Sequence, residues 1–211
     1  MNWNLLSNTM IKIGITGGIG SGKSVVSNLL SLEGIPIYRA DDESKHLTDT
    51  SPVIRKKLIS LIDDSLFIND KLDRQRLAAL IFNDETLLKK VNEIIHPEVK
   101  NDFLHWVARQ ASSCNKRKYC ALESAILFES NFEKEVDVVL MVYAPVELRL
   151  KRVRLRDGTS EEEILKRMRS QLPDDLKRAK ADFVIINDDL QPLIPQVERF
   201  CSLVVGSLVV L

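Results

Sequence analysis

A chain of 211 residues with 45% apolar and 28% charged side chains can bury one ordinary globular core, and this composition excludes a disordered or low-complexity polymer. Thirty basic residues balance thirty acidic ones, so no global field exists to hold nucleic acid or a membrane surface, and any cationic site must be local. Cys114, Cys120 and Cys201 have neither the count nor the spacing of a disulfide framework or zinc site and read as reduced thiols of a cytoplasmic protein.

The stretch Met1 to Thr9 lacks the basic start and apolar run of a signal peptide, and Met10 is a candidate initiator. Lys12 to Thr16 is a short β-branched run ending in glycines, and Val25 to Leu32 has apolar residues at helical spacing. The segment Gly17-Gly18-Ile19-Gly20-Ser21-Gly22-Lys23-Ser24 therefore joins a strand to a helix, which is the context a phosphate-binding loop requires. Its glycines let backbone N–H groups turn inward around phosphates at a helix amino terminus. Lys23 can reach the β and γ phosphates, and the Ser24 hydroxyl can ligate magnesium.

Further strand-like runs occur at Ile35 to Tyr38, Tyr119 to Leu122, Val136 to Tyr143 and Phe183 to Ile186, each flanked by helix-like stretches. This alternation predicts a parallel sheet wrapped by helices. Asp41 follows the second strand through Arg39-Ala40, at the carboxyl edge of the sheet where α/β proteins gather their sites. Two readings stand: a base for an attacking hydroxyl, or, with Asp42, a cap for the helix through Glu43 to Leu47.

The residues between the second and third strands read as helices only. Ser51-Pro52 is a cap and first-position pair ahead of Val53, Ile54, Leu58, Ile59 and Ile62. A second pattern runs from Arg74 to Phe82 through Leu77, Leu80 and Ile81, and a third from near Asp84 to His96-Pro97. Pro97 starts or kinks a following helix through Val99, Phe103 and Trp106. This stretch is expected to form a helical subdomain beside the sheet. Within it, His96 and the Asp73-Arg74 pair each read either as substrate contacts or as structural residues.

Glu123 ends the third strand and can hold magnesium or its water, or stand as a solvated strand-end carboxylate. Val146 to Leu172 is helical and basic, interrupted by Asp157-Gly158 and restarted by a capping box from Ser160 and Glu163. Arg149, Arg152 and Arg156 share one face beside Val146, Leu150 and Val153, so one edge is expected to pack and the other to present guanidinium groups. Arg152 and Arg156 suit a lid over a triphosphate, or a solvated basic face. Glu162 with Lys166 and Glu163 with Arg167 are expected as surface pairs. The tail from Leu203 to Leu211 is apolar but about half the length needed to span a bilayer, and is expected to pack on the core.

Taken in order, these motifs resemble the dephospho-coenzyme A kinases from about Ile11 to Asn187. Ile15-Thr16 leading into Gly17 to Ser24 is similar to that family's phosphate-loop signature. Gly34-Ile35-Pro36-Ile37-Tyr38-Arg39-Ala40-Asp41 falls where the family carries a glycine, a short strand and an Asp-Ala-Asp triplet. Leu72-Asp73-Arg74 with Leu77 and Phe82, then Ile95-His96-Pro97, match the helical subdomain that receives the coenzyme A end of the substrate. Leu127-Phe128-Glu129 resembles the segment after the third strand, and Arg152, Arg156, Arg167 and Gln171 match the lid. Ala181-Asp182-Phe183-Val184-Ile185-Ile186-Asn187 resembles the segment before the adenine pocket.

The resemblance implies a P-loop kinase fold with a five-stranded parallel core, and transfer of the ATP γ-phosphate to the ribose 3′-hydroxyl of dephospho-CoA with Mg2+. It implies ATP binding by Gly18, Gly20, Ser21, Gly22, Lys23, Ser24, Val25 and Asn187, and metal binding by Ser24 and Glu123. Asp41 inherits the role of base, joined in catalysis by Lys23, Arg152 and Arg156, and Asp41, Arg74 and His96 contact the acceptor. One kinase domain over residues 10–211 is expected, with its core at about 10–41, 117–145 and 181–211, a helical insertion at about 42–116 and a lid at about 146–180. A cytoplasmic monomer or weak homo-oligomer is expected, with no nucleic-acid or membrane partner. Arg39 stands where the triplet's first aspartate belongs, Ala125 replaces a proline, Glu123 an aspartate and Val25 a threonine. Two other readings share the loop: a kinase for another small acceptor such as a nucleoside monophosphate or sugar acid, and an inactive homologue that binds ATP as a ligand.

Overall fold

The computed structural model describes residues 10–82, 84–112 and 118–204, so Cys114, the stretch before Met10 and the tail beyond Val204 lie outside the described residues. In chain order the elements are β1 (Ile11–Thr16), α1 (Lys23–Leu32), β2 (Ile37–Arg39), α2 (Ala40–Thr50), α3 (Pro52–Leu61), β3 (Phe67–Ile68) and β4 (Lys71–Leu72). There follow α4 (Arg74–Ile81), α5 (Glu85–Ser112), β5 (Tyr119–Glu123), β6 (Val138–Tyr143), α6 (Val146–Asp157), α7 (Glu161–Arg169), α8 (Asp174–Lys180), β7 (Phe183–Ile186) and α9 (Leu193–Val204). They form two compact units, one from Arg39 to Trp106 and one from the chain on either side of it.

The flanking unit carries a five-stranded sheet in the order β2-β5-β1-β6-β7, with parallel ladders on both sides of β1. Ile13, Ile15, Ala121, Leu122, Leu140 and Met141 are fully buried, as the near-continuous apolar runs of strands covered on both faces require. Val26 and Leu30 of α1 and Val197 and Phe200 of α9 share one cluster with Ile13, Ile15 and Leu140. Because β1 has β5 on one side and β6 on the other, its carboxyl end is the topological switch point where such sheets bind ligands. The expected parallel sheet is therefore present. Its second strand begins at Ile37 rather than Ile35, since Pro36 has no N–H to donate and enters only through its carbonyl, which accepts from the Ala121 N–H at 2.8 Å.

The Arg39–Trp106 unit packs around Ile54, Leu58, Leu66, Leu72, Leu77 and Val91. It is not helical throughout, contrary to expectation: β3 and β4 pair antiparallel, Phe67 opposite Leu72. The turn between them places Asn69 and Asp70 at φ of 49° and 64°, the left-handed pair a two-residue hairpin demands and these two residue types tolerate. Strands of two residues are too short for alternation to register in the sequence. Pro97 neither starts nor ends a helix, since α5 runs through it from Glu85 to Ser112. The expected cap at Ser51 is in place, its side chain accepting from the Ile54 N–H at 3.3 Å with Pro52 at the first helical position.

Candidate active site

The loop after β1 is shaped by its approach to the first helix. Gly22 is the N-cap of α1 at φ 92°, and a Cβ built there would lie 2.1 Å from Nδ2 of Asn187. Only glycine suits both the left-handed backbone and the contact. Asn187 lies just beyond β7; its N–H donates to the Tyr143 carbonyl at 2.8 Å and its Nδ2 to the Ser21 carbonyl at 2.8 Å. The far edge of the sheet thereby braces the loop.

Lys23 opens α1, and its ammonium donates to the carbonyls of Gly17 and Gly18 at 3.0 and 3.3 Å. A positive group is thus tethered on the loop at the amino terminus of a helix, where the macrodipole also favours an anion. The Ser21 and Thr16 hydroxyls are buried and make no hydrogen bond among the described residues. Hydroxyl oxygens, such as that of Ser24 in the first turn of α1, and carboxylates, such as that of Glu123, are each hard donors of the type magnesium takes. Glu123 stands opposite Ile15 in the ladder, at the same end of the sheet as the loop, and the neighbouring Ser124 N–H donates to the Ile15 carbonyl at 3.0 Å.

The arginines of α6 do not all face solvent. Arg149, expected on the presenting face, is buried, and its Nη1 donates to both oxygens of Asp174 at 2.9 and 2.7 Å. Helical periodicity grouped it with Arg152 and Arg156 but carried no information about α8, which supplies the aspartate. Arg152 donates to the carbonyl and the Oδ1 of Asn187, both at 3.2 Å, and pairs with Asp189. Through Asn187 it is linked to the phosphate loop. Arg156 is instead held on Asp157, with contacts of 2.7 and 3.1 Å, and Arg167 reaches the same carboxylate at 3.3 Å. These guanidiniums hold the Asp157 carboxyl below its ordinary range. Glu163 turns back to the Ser160 N–H at 3.2 Å, completing the expected capping box.

One charged residue of this unit escaped the sequence reading. Lys177 is fully buried, its ammonium 2.8 Å from the Ala125 carbonyl and 3.1 Å from Glu129. Nothing in the charged stretch Asp174–Lys180 distinguishes it from a surface lysine.

In the Arg39–Trp106 unit, Asp41 is exposed in the first turn of α2. The N-cap is Arg39, in extended backbone, so neither Asp41 nor Asp42 is the cap, and both carboxylates instead complement the helix dipole. Arg74 donates to the Lys45 carbonyl at 2.7 Å, the Thr48 hydroxyl at 3.3 Å and Asp49 at 2.7 Å, and it holds the Asp49 carboxyl low. Asp73 caps α4 by accepting from the Arg76 N–H at 2.9 Å. His96 is half-buried, and burial pushes its pKa down, favouring the neutral ring.

A phosphate loop joining the central strand of a parallel sheet to its first helix, with arginine-bearing helices beside it, defines a P-loop kinase. The chain belongs to the dephospho-CoA kinase family, whose sequence model matches residues 11–192. It is an enzyme, a kinase acting on dephospho-CoA. It is 51% identical over 187 residues to a dephospho-CoA kinase from Bacteroides fragilis, with 89% of each chain covered. It is 49% identical over 196 residues to one from Porphyromonas gingivalis, covering 92% of this chain and 95% of that one. A crystal structure from Thermus thermophilus matches with a TM-score of 0.79 at 34% identity, covering 95% of this chain and 98% of the other. Among the described residues no helix is long and apolar enough to cross a membrane.

Proposed function

We propose that the phosphoryl donor is ATP with Mg2+ and that the acceptor is the ribose 3′-hydroxyl of dephospho-CoA. The observation that carries this reading is the Lys23 ammonium held on the carbonyls of Gly17 and Gly18, in a loop braced by Asn187. Gly18, Gly20, Ser21, Gly22, Lys23, Ser24 and Val25 receive the triphosphate, with Asn187 at the nucleotide side. Ser24 and Glu123 would hold the metal, which when bound neutralises phosphate charge.

Asp41 accepts the proton of the 3′-hydroxyl as its oxygen bonds to the γ-phosphorus. The bond from that phosphorus to the β–γ bridging oxygen breaks, and ADP leaves with the electron pair. Lys23, Arg152 and Arg156 offset the charge that develops, the larger part of catalysis in phosphoryl transfer. Arg74 and His96 line the acceptor side, Arg74 through a guanidinium already ordered by Asp49 and Thr48. In this reading residues 42–116 form the acceptor-binding insertion and 146–180 the lid, in a cytoplasmic monomer or weak homo-oligomer.

Incubating the purified protein with ATP, magnesium and dephospho-CoA tests the reading, with CoA followed by mass spectrometry. Formation of CoA and ADP in equal amounts is expected, abolished by a chelator. Absence of CoA, or faster phosphorylation of a nucleoside monophosphate or sugar acid under the same conditions, would overturn it.

A further inference from the structure

Ile19 lies within the phosphate loop, yet its N–H is committed to a side chain far away in the sequence: it donates to Oε1 of Gln171 at 2.9 Å. Gln171 sits in the short connection between α7 and α8, its N–H donating to the Met168 carbonyl at 3.2 Å at the end of α7. The residues around it are held by longer-range contacts. The Leu172 N–H donates to Glu129 Oε1 at 2.6 Å, and the buried Lys177 ammonium lies 3.1 Å from the same oxygen while donating to the Ala125 carbonyl at 2.8 Å. Asp174, between them, holds the Arg149 guanidinium against Gly18.

A fully buried ammonium is tolerated only when its charge and its donors are met, and here they are met by a carboxylate and a carbonyl of the segment that follows β5. That strut places the 171–177 segment relative to the sheet, and Gln171 passes the placement on to the loop. We propose that Gln171 is a positioning residue for the phosphate loop: its carboxamide orders the Ile19 amide before nucleotide arrives, and the Lys177–Glu129 pair sets Gln171. The inference rests on the reading of this loop as the ATP site. A carboxamide suits the task because it accepts a hydrogen bond without placing a negative charge beside phosphates. A carboxylate would accept as well but repel the ligand.

Two measurements on the full chain test this. Hydrogen exchange at the Ile19 amide is followed by NMR in the nucleotide-free protein, and ATP binding is measured by calorimetry with magnesium and no acceptor. In Gln171→Leu, Ile19 exchange is expected to accelerate and the Kd for ATP to rise, each about tenfold, the scale of one net hydrogen bond. The Kd for dephospho-CoA and the Tm are expected to stay near wild type. Gln171→Glu is expected to keep the Ile19 amide protected while still weakening ATP, a split that a merely structural role would not produce. Lys177→Met, if folded by its near-native Tm, is expected to accelerate Ile19 exchange as well. Unchanged Ile19 exchange or unchanged ATP affinity in Gln171→Leu overturns the proposal. If the wild type itself binds no ATP, the nucleotide reading fails, and the exchange data still decide whether Gln171 holds the loop.

Discussion

Arg149 occupies the space that any side chain at position 18 would need: a Cβ built on Gly18 would stand 1.9 Å from Nη1 of Arg149. The end of an arginine can usually swing aside, but this one is buried and bonded to both oxygens of Asp174. Gly18→Ala must therefore deform the loop or break a buried ion pair, the second costing about 3–5 kcal/mol. ATP binding weakened at least tenfold is expected. Arg149→Gln in the same chain should recover part of the loss by giving up the bulk. Calorimetry on the single and double variants checks both statements.

Lys23 and Asp41 are assigned to different parts of the reaction, and the assignment separates in binding and turnover. Lys23→Ala is expected to weaken ATP binding and abolish turnover together. Asp41→Asn is expected to lower kcat by about 10²–10⁴ while leaving the Kd for ATP within about twofold, as loss of a base does. Retained turnover in Asp41→Asn would remove it from the role of base.

Burial depresses the His96 pKa below 6.5, so the unfolded chain takes up a proton on acidification before the folded one does. The folded state loses stability as pH falls from about 6.5 toward the folded pKa, and that contribution is fully present above this window. The wild type should therefore show a falling denaturation midpoint through this range that His96→Asn flattens. Equal slopes in the two proteins would show that His96 does not titrate differently on folding.

Asp49 behaves similarly at lower pH. Arg74, bonded to Asp49 Oδ2 at 2.7 Å, holds its carboxyl below the ordinary 3.8, so the stability it contributes is present above 3.8 and is lost as pH falls through the folded pKa. Arg74→Ala should shift acid unfolding to higher pH as well as weaken the acceptor. Acid titrations of both proteins by circular dichroism measure the shift.

Burial pushes the thiol of Cys120 up to about 12, and that of Cys201 to about 11. Thiolate is the reactive form, so alkylation of both in native protein at pH 8 should be slow and should accelerate on adding denaturant. Peptide mapping separates these sites from Cys114.

Much of the architecture was legible because it is written in short-range patterns. The strand at Phe183–Ile186, the cap at Ser51, the capping box at Ser160 and the phosphate loop each need only a few neighbouring residues to declare themselves. The β3–β4 hairpin was missed because two-residue strands carry no period, and Asn69-Asp70 is a weaker turn signal than a glycine-bearing pair. Of the two readings of Pro97, the start of a new helix is excluded, because α5 runs through it from Glu85 to Ser112.

The sequence by itself determined that a phosphate loop sits between a strand and a helix, that further strands and helices alternate around it, and in what order the kinase motifs follow. Tertiary structure alone decided what surrounds that loop. Ile19 meets Gln171, Ser21 meets Asn187, Arg149 meets Asp174 and Lys177 meets Glu129. Each pair joins residues from different elements, and Lys177 looks like a surface lysine until the fold removes its water. Local propensity acts over one or two turns of chain, whereas desolvation of a charge and the partner that offsets it exist only once distant segments have packed.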